Sequence, residues 1–289
     1  PQDHPNDVRC EGGPPIKPYD VAGWTLAFQM GIRFDRILEG FDGPFERLPY
    51  GQMQRSPPGR IDASSGVVAG FLVSPRANDS VILANRLIAA GIEVHRLKQA
   101  PAEAPEWGRG ALYVPDRGTA RAQVEKAAGQ LGLPVRTLAA PPAARELIQL
   151  QPVRIALWDR FGGSMPSGWT RWLLEQFEFP FDVIYPATID AGNLREKYDA
   201  IVFVAGAVPA AGIRPPPLIR PGNLPPEYEG WIGRITPDKS VPALREFLEA
   251  GGTVVAIGSS TNLGYHLSLI HISEPTRLRR ISYAVFCLK

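Results

Sequence analysis

Val153-Arg154-Ile155-Ala156-Leu157-Trp158 leads into Asp159-Arg160-Phe161-Gly162-Gly163-Ser164-Met165-Pro166, then into Ser167-Gly168-Trp169-Thr170-Arg171-Trp172-Leu173. The first run is short and apolar and stops at a glycine-bearing loop, which predicts a strand over 153–158 covered on both faces. From Ser167 the apolar residues Trp172, Leu173 and Phe177 recur at helical spacing, so a helix starts there and the segment between is a strand-to-helix connection. The same grammar continues downstream. It predicts a strand over 182–185, a short helix near Asn193-Leu194, a strand over 200–204, a helix over 241–250 and a strand over 253–257. Strands alternating with helices in units of this length imply parallel pairing through right-handed crossovers.

Upstream, the pattern is similar. A continuous apolar run predicts a strand over 67–73. Asp79 or Ser80 caps a helix bearing Ile82, Leu83, Leu87 and Ile88, and Gly91 ends it before a strand over 92–97. A strand over 111–114, a helix over 119–131 and a strand over 135–138 follow, and Pro141-Pro142 separates this layer from the next. Residues 1–65 read as an irregular extension between Gly12-Gly13-Pro14-Pro15 and Ser56-Pro57-Pro58-Gly59, with one short helix over 21–30 bearing Trp24, Leu26 and Phe28. The expected class is α/β, with parallel sheets and flanking helices in a flavodoxin-like arrangement. Its layers span 66–150 and 151–266, and the second is truncated at its fourth strand.

At 289 residues, 44% hydrophobic and 21% charged, the chain is long and apolar enough for folded domains rather than wholesale disorder. Its 29 glycines and 30 prolines concentrate in loops, above all between Pro209 and Gly230. The longest apolar stretch, near 201–213, is interrupted by Pro209 and predicts no membrane span. An opening Pro-Gln-Asp-His with no signal-peptide pattern reads as the inside of a longer protein.

Residues 267–289, Leu-Ser-Leu-Ile-His-Ile-Ser-Glu-Pro-Thr-Arg through Ile-Ser-Tyr-Ala-Val-Phe-Cys-Leu-Lys, resemble a translated sequencing adapter. Two fixed blocks flank Leu278-Arg279-Arg280, a gap of index length. The resemblance implies an artefactual tail, expected to pack poorly and to leave one sheet face or edge exposed. The tail carries four basic residues and one acid, so the chain's net charge of +2 becomes −1 without it. No excess of positive charge then points to nucleic acid or an anionic membrane. Cys287 also falls in the tail, leaving Cys10 alone, so no disulfide framework is expected.

Three groups of residues carry the chemistry the sequence offers. Asp159, Arg160, Gly162, Gly163 and Ser164 stand between strand and helix, where open α/β sheets bind ligands and helix amides favour anions; the glycine spacing is not a dinucleotide fingerprint. Ser259 and Ser260 follow the apolar strand ending at Ile257, the place for a nucleophile on a strand-to-helix elbow, though no His–Asp pair accompanies them. His271-Ile272-Ser273-Glu274 has the His-x-x-Glu spacing of a zinc pair, yet it lies in the tail and a full site needs a second distant His. His4, His95 and His266 have no partner at ligand spacing.

Three stretches carry a family resemblance. They are Lys17 to Leu26 (KPYDVAGWTL) with Gln29-Met30-Gly31, then Ser74-Pro75-Arg76-Ala77-Asn78-Asp79-Ser80, and most specifically Leu157 to Trp172 (LWDRFGGSMPSGWTRW). Together they resemble the region after the catalytic domain in large bacterial zinc carboxypeptidases of the carboxypeptidase A type, where a class I glutamine amidotransferase-like α/β domain follows. The resemblance spans about residues 8–266. It implies a secreted or periplasmic parent whose zinc, catalytic residues and peptide substrate belong to a domain upstream of Pro1, with no metal or catalytic position in this chain. It also implies a Cys at the elbow, where this sequence has Ile257-Gly258-Ser259-Ser260. The alternative expectation is a stand-alone small-ligand module or a serine-type hydrolase.

Overall fold

The computed structural model describes residues 33–47, 49–52, 57–62, 66–102, 104–210, 222–268 and 285–288, together with Val8, residues 10–13, Ala27, Gly212 and Leu218. The chain divides into two units, Pro1–Arg55 and Ser56–Lys289. In the first, residues 33–47 and 49–52 form neither helix nor strand, and Ile37, Leu38, Phe41 and Phe45 are exposed. The helix expected over 21–30 and the His271–Glu274 pair lie outside the described residues, Ala27 excepted. The second unit holds both α/β layers and begins earlier than residue 66, because its first strand is already paired.

The first layer contains β1 (Ile61–Asp62), β2 (Gly70–Val73), α1 (Ser80–Ala89), β3 (His95–Leu97), β4 (Leu112–Pro115), α2 (Ala120–Leu131), β5 (Val135–Leu138) and β6 (Leu147–Gln149). Their order in the sheet is β1-β5-β2-β4-β3-β6. Only β1 and β5 pair in parallel; β2 is antiparallel to both β4 and β5, and β3 is antiparallel to β4 and β6. The parallel sheet expected here is therefore corrected. Each helix does cross between parallel strands, but β4 lies between β2 and β3, and β2 lies between β4 and β5. This is the split β-α-β of a ferredoxin-like layer. Spacing alone cannot distinguish a split crossover from an adjacent one, because the same helix-length link serves both. Phe71, Val73, Leu83, Leu87, Val114, Val124 and Val135 form the core beneath the helices. Leu72, Leu97, Tyr113 and Leu138 form a smaller cluster.

The second layer contains β7 (Ile155–Trp158), α3 (Met165–Gln176), β8 (Phe181–Ile184), α4 (Pro186–Asp190), α5 (Leu194–Lys197), β9 (Ala200–Phe203), α6 (Ser240–Glu249), β10 (Thr253–Ile257), α7 (Leu263–His266) and β11 (Val285–Leu288). The order is β8-β7-β9-β10-β11. β7 pairs in parallel with β8 and β9, and β9 with β10, as expected. Its first four strands thus follow the doubly wound flavodoxin-like order, second, first, third, fourth. The α6 residues Val241, Leu244 and Phe247 bury one apolar stripe in a core shared with Leu157, Ile201, Phe203 and Val254. Gly252 lets the chain turn beneath Phe247, since a Cβ there would stand 2.4 Å from the ring.

The tail departs from expectation in two places. Leu267 is buried in the core, its amide continuing the turn of α7 to Leu263 O at 2.9 Å. β11 then pairs antiparallel with β10, Val285 opposite Ile257 and Leu288 opposite Val254. The edge expected to be open is covered, because any apolar extended segment satisfies the unpaired amides of an edge strand. Residues 269–284 lie outside the described residues.

Candidate functional site at the carboxyl edge of the parallel sheet

In a sheet of this order the winding reverses between β7 and β9, and a crevice forms at the carboxyl ends of those strands. The loop of Asp159, Arg160, Gly162, Gly163 and Ser164 leaves β7 on one side of it, and the loop from Val204 to Val208 leaves β9 on the other. Ser259 and Ser260 follow β10, one strand further along. Both predicted groups therefore lie on the same edge of the sheet, with β9 between them and no hydrogen bond joining them.

The β7 loop is fixed by its own atoms. The Asp159 amide donates to Ile184 O at 2.9 Å, anchoring the loop to β8. The Arg160 amide donates to Asp159 Oδ1 at 2.8 Å, and Arg160 Nε donates to Gly163 O at 3.1 Å. Gly163 N returns a bond to Arg160 O at 2.9 Å, so the guanidinium closes its own turn. Gly162 and Gly163 have φ of 81° and 78°, the left-handed region in which a side chain is strained. The helix expected from Ser167 begins at Met165. Ser164 precedes it without a side-chain cap, and the buried Ser167 hydroxyl donates to Trp158 O at 3.1 Å, tying α3 to the strand it follows.

Both elbow serines are turned toward the β9 loop. Ser259 Oγ accepts the Gly206 amide at 2.8 Å. Ser260 is fully buried; its Oγ accepts the amides of Ala207 and Val208 at 3.1 and 3.2 Å and donates to Val204 O. A hydroxyl that already uses its proton and accepts two bonds is a structural pin, and a buried one offers no approach to a substrate. No described histidine hydrogen-bonds either serine; His266 Nε2 lies 2.9 Å from Pro209 O instead. Among the described residues no nucleophile–base pair is assembled here.

A second feature of this edge is one that the sequence reading passed over. The turn Pro226–Trp231, within the Pro-rich connection from β9 to α6, brings Tyr228 and Trp231 onto Phe161 of the β7 loop and Tyr185 after β8. Tyr185 and Trp231 stack with centroids 4.3 Å apart and planes 11° apart, and Tyr228 meets Trp231 edge-on at 4.8 Å. Burial pushes the Tyr185 phenol above its ordinary pKa; the Asp159 carboxylate acts in the same direction and Arg171 opposes them. The phenol stays protonated at neutral pH, and with Asp159 it presents a donor and an acceptor beside flat apolar faces. The available signal was two large aromatics in a Pro/Gly-rich loop, side chains that need cover.

No group of three or more His, Cys, Asp or Glu converges among the described residues. No helix among them is long and apolar enough to cross a membrane. Comparison with protein-family models, curated proteins and solved structures returns no match to the chain.

Proposed function

We propose that this chain is the non-catalytic C-terminal α/β region of a zinc-dependent carboxypeptidase of the carboxypeptidase A type, its parallel layer a glutamine amidotransferase-like module that does no amide chemistry. One observation carries the second half of this reading. At the elbow where that fold holds its nucleophile, Ser260 is buried and spends its hydroxyl on three backbone groups of the β9 loop. The first half rests on the resemblance of Leu157 to Trp172, a stretch that is the first strand, loop and helix of a doubly wound sheet. Zinc and peptide substrate then belong to a domain encoded before Pro1.

The test is twofold. The purified chain, incubated with N-acylated dipeptides and added zinc, is expected to release no C-terminal residue; chelator-sensitive release would overturn the reading. The coding sequence immediately upstream of Pro1 is expected to encode a His-x-x-Glu pair and a distant second His; an unrelated upstream domain would refute the parent family. A second reading, a small-ligand module, is favoured by the Tyr185–Trp231 stack beside Asp159. It predicts that a flat ligand with a hydrogen-bond donor raises the unfolding free energy by RT ln(1 + [L]/Kd), reaching about 2.7 kcal/mol at about a hundred times Kd.

A further inference from the structure

A sheet edge is where one chain can add a strand to another, so folded proteins guard their edges with brevity, charge or proline. Among the described strands of the second unit, three edges are guarded. β1 has two residues and β6 has three. β8 carries the exposed Asp182 and runs between Pro180 and Pro186. β10 is different. Its five residues, Thr253-Val254-Val255-Ala256-Ile257, include no charge and no proline, and four of them are β-branched. Val254 and Ala256 are buried and the other three are half-buried. This is the composition of a strand built to have neighbours on both sides.

β11 shows what this edge takes up. It lies along β10 antiparallel through a continuous register, from Val254 opposite Leu288 to Ile257 opposite Val285. Residues 269–284 separate it from Ser268, so no short hairpin turn dictates the pairing. Its own sequence, Val-Phe-Cys-Leu, is apolar and uncharged. What the two strands share is backbone register and apolar composition, and a segment of another chain can meet both requirements.

We propose that the outer edge of β10 is a strand-acceptor site for an extended, uncharged, apolar peptide segment bound antiparallel, and that β11 is its occupant within the chain. Such a segment of another protein binds here once β11 withdraws. Covalent linkage holds β11 at an effective concentration in the mM range, so an unlinked strand competes poorly while β11 is intact. The proposal is independent of the peptidase reading.

Fluorescence anisotropy tests it on the full chain with the labelled peptide Tyr-Ala-Val-Phe-Ser-Leu-Lys, the sequence of residues 283–289 with serine in place of cysteine. Successive residues of an edge strand point their amides alternately toward the partner and away. In the variant F286P/C287P one proline therefore removes an amide that faces β10. That variant, its fold verified by circular dichroism, should bind the peptide saturably and at least tenfold more tightly than wild type does. Two N-methylated peptides separate strand addition from apolar adhesion. One is methylated at valine and serine, the other at phenylalanine and leucine; one should bind and the other should not. Binding by both or by neither overturns the proposal, as does equal binding by wild type or none by the folded variant. Hydrogen exchange covers a variant that fails to fold. In V285T/F286V/C287T/L288V, an unrelated strand-forming sequence, the outward amides of β10 should stay protected, and their exposure overturns the proposal as well.

Discussion

Arg86 on α1 grips Glu178 across the two α/β layers: Nε lies 2.9 and 3.1 Å from the two carboxylate oxygens, and Nη2 lies 2.7 Å from Oε1. Beside it Asn85 Nδ2 donates to Phe177 O at 2.8 Å. Glu178 pays for this position with a φ of 56°, left-handed for a residue that is not glycine. Two opposed contributions follow. Glu178→Gly relieves the strain while losing the ion pair; Glu178→Ala keeps the strain and loses the pair. Since the partners are 37% and 41% exposed, the pair itself is worth at most about 1 kcal/mol. Urea unfolding should therefore find Glu178→Ala less stable than Glu178→Gly by about 1 kcal/mol. Equal stability would mean the left-handed φ carries no cost here.

Asp199 organises the opposite end of the parallel sheet. The Arg154 amide and Nε donate to its Oδ2 at 2.9 and 3.0 Å, Arg154 Nη2 donates to Oδ1 at 2.8 Å, and Arg195 adds a further bond. These bonds, those of Arg154 first, hold the Asp199 carboxyl well below the usual carboxylate range. A depressed folded pKa contributes stability above the unfolded value and loses it as pH falls toward the folded one. Asp199→Asn should cost about 1–2 kcal/mol at neutral pH, and the gap from wild type should narrow as pH drops below about 4. Chemical unfolding at pH 7, 4 and 2.5 checks this; a gap that stays constant with pH would show that the carboxylate's charge is not what matters.

Ser260→Ala strands the Ala207 and Val208 amides in a buried place, a loss of about 2–3 kcal/mol. Ser259→Ala leaves only the exposed Gly206 amide unpartnered and should cost under about 1 kcal/mol. Neither serine should take a fluorophosphonate label. Labelling that disappears in either alanine variant would restore the hydrolase reading.

The second layer was legible in its sequence because every crossover there joins strands that are neighbours or bracket only a parallel one, so strand–helix alternation and parallel pairing coincide. The first layer was not. Its strands over 92–97 and 111–114 follow one another with no expected helix between them, and His95 pairs antiparallel with Tyr113. That pairing depends on which strand slips between two others, a tertiary choice that local periodicity does not encode. The site divided along similar lines. The β7 loop was visible because Gly162 and Gly163 mark a turn, whereas the stack of Tyr185 on Trp231 joins residues in separate connections and has no local signature.

The chain beyond Ser268 gives the sharpest test of where the fold ends. Leu267 is 4% exposed within the parallel-layer core, whereas residues 285–288 touch the sheet through the backbone pairing of β11 with β10. The two should behave differently on removal. Leu267→Ala opens a cavity in a packed core and should cost about 2–3 kcal/mol. Truncation after Ser268 keeps that side chain and removes, among the described residues, the edge strand β11, whose backbone partners on β10 water then takes over. Stability should then fall by no more than about 1 kcal/mol, while the bared edge of β10, Thr253-Val254-Val255-Ala256-Ile257, makes the truncated chain more prone to associate. Urea melts at low protein concentration measure the first effect, and light scattering against concentration measures the second. A loss of several kcal/mol on truncation would make β11 an integral fifth strand, and the likeness of its sequence to an adapter would then be coincidence.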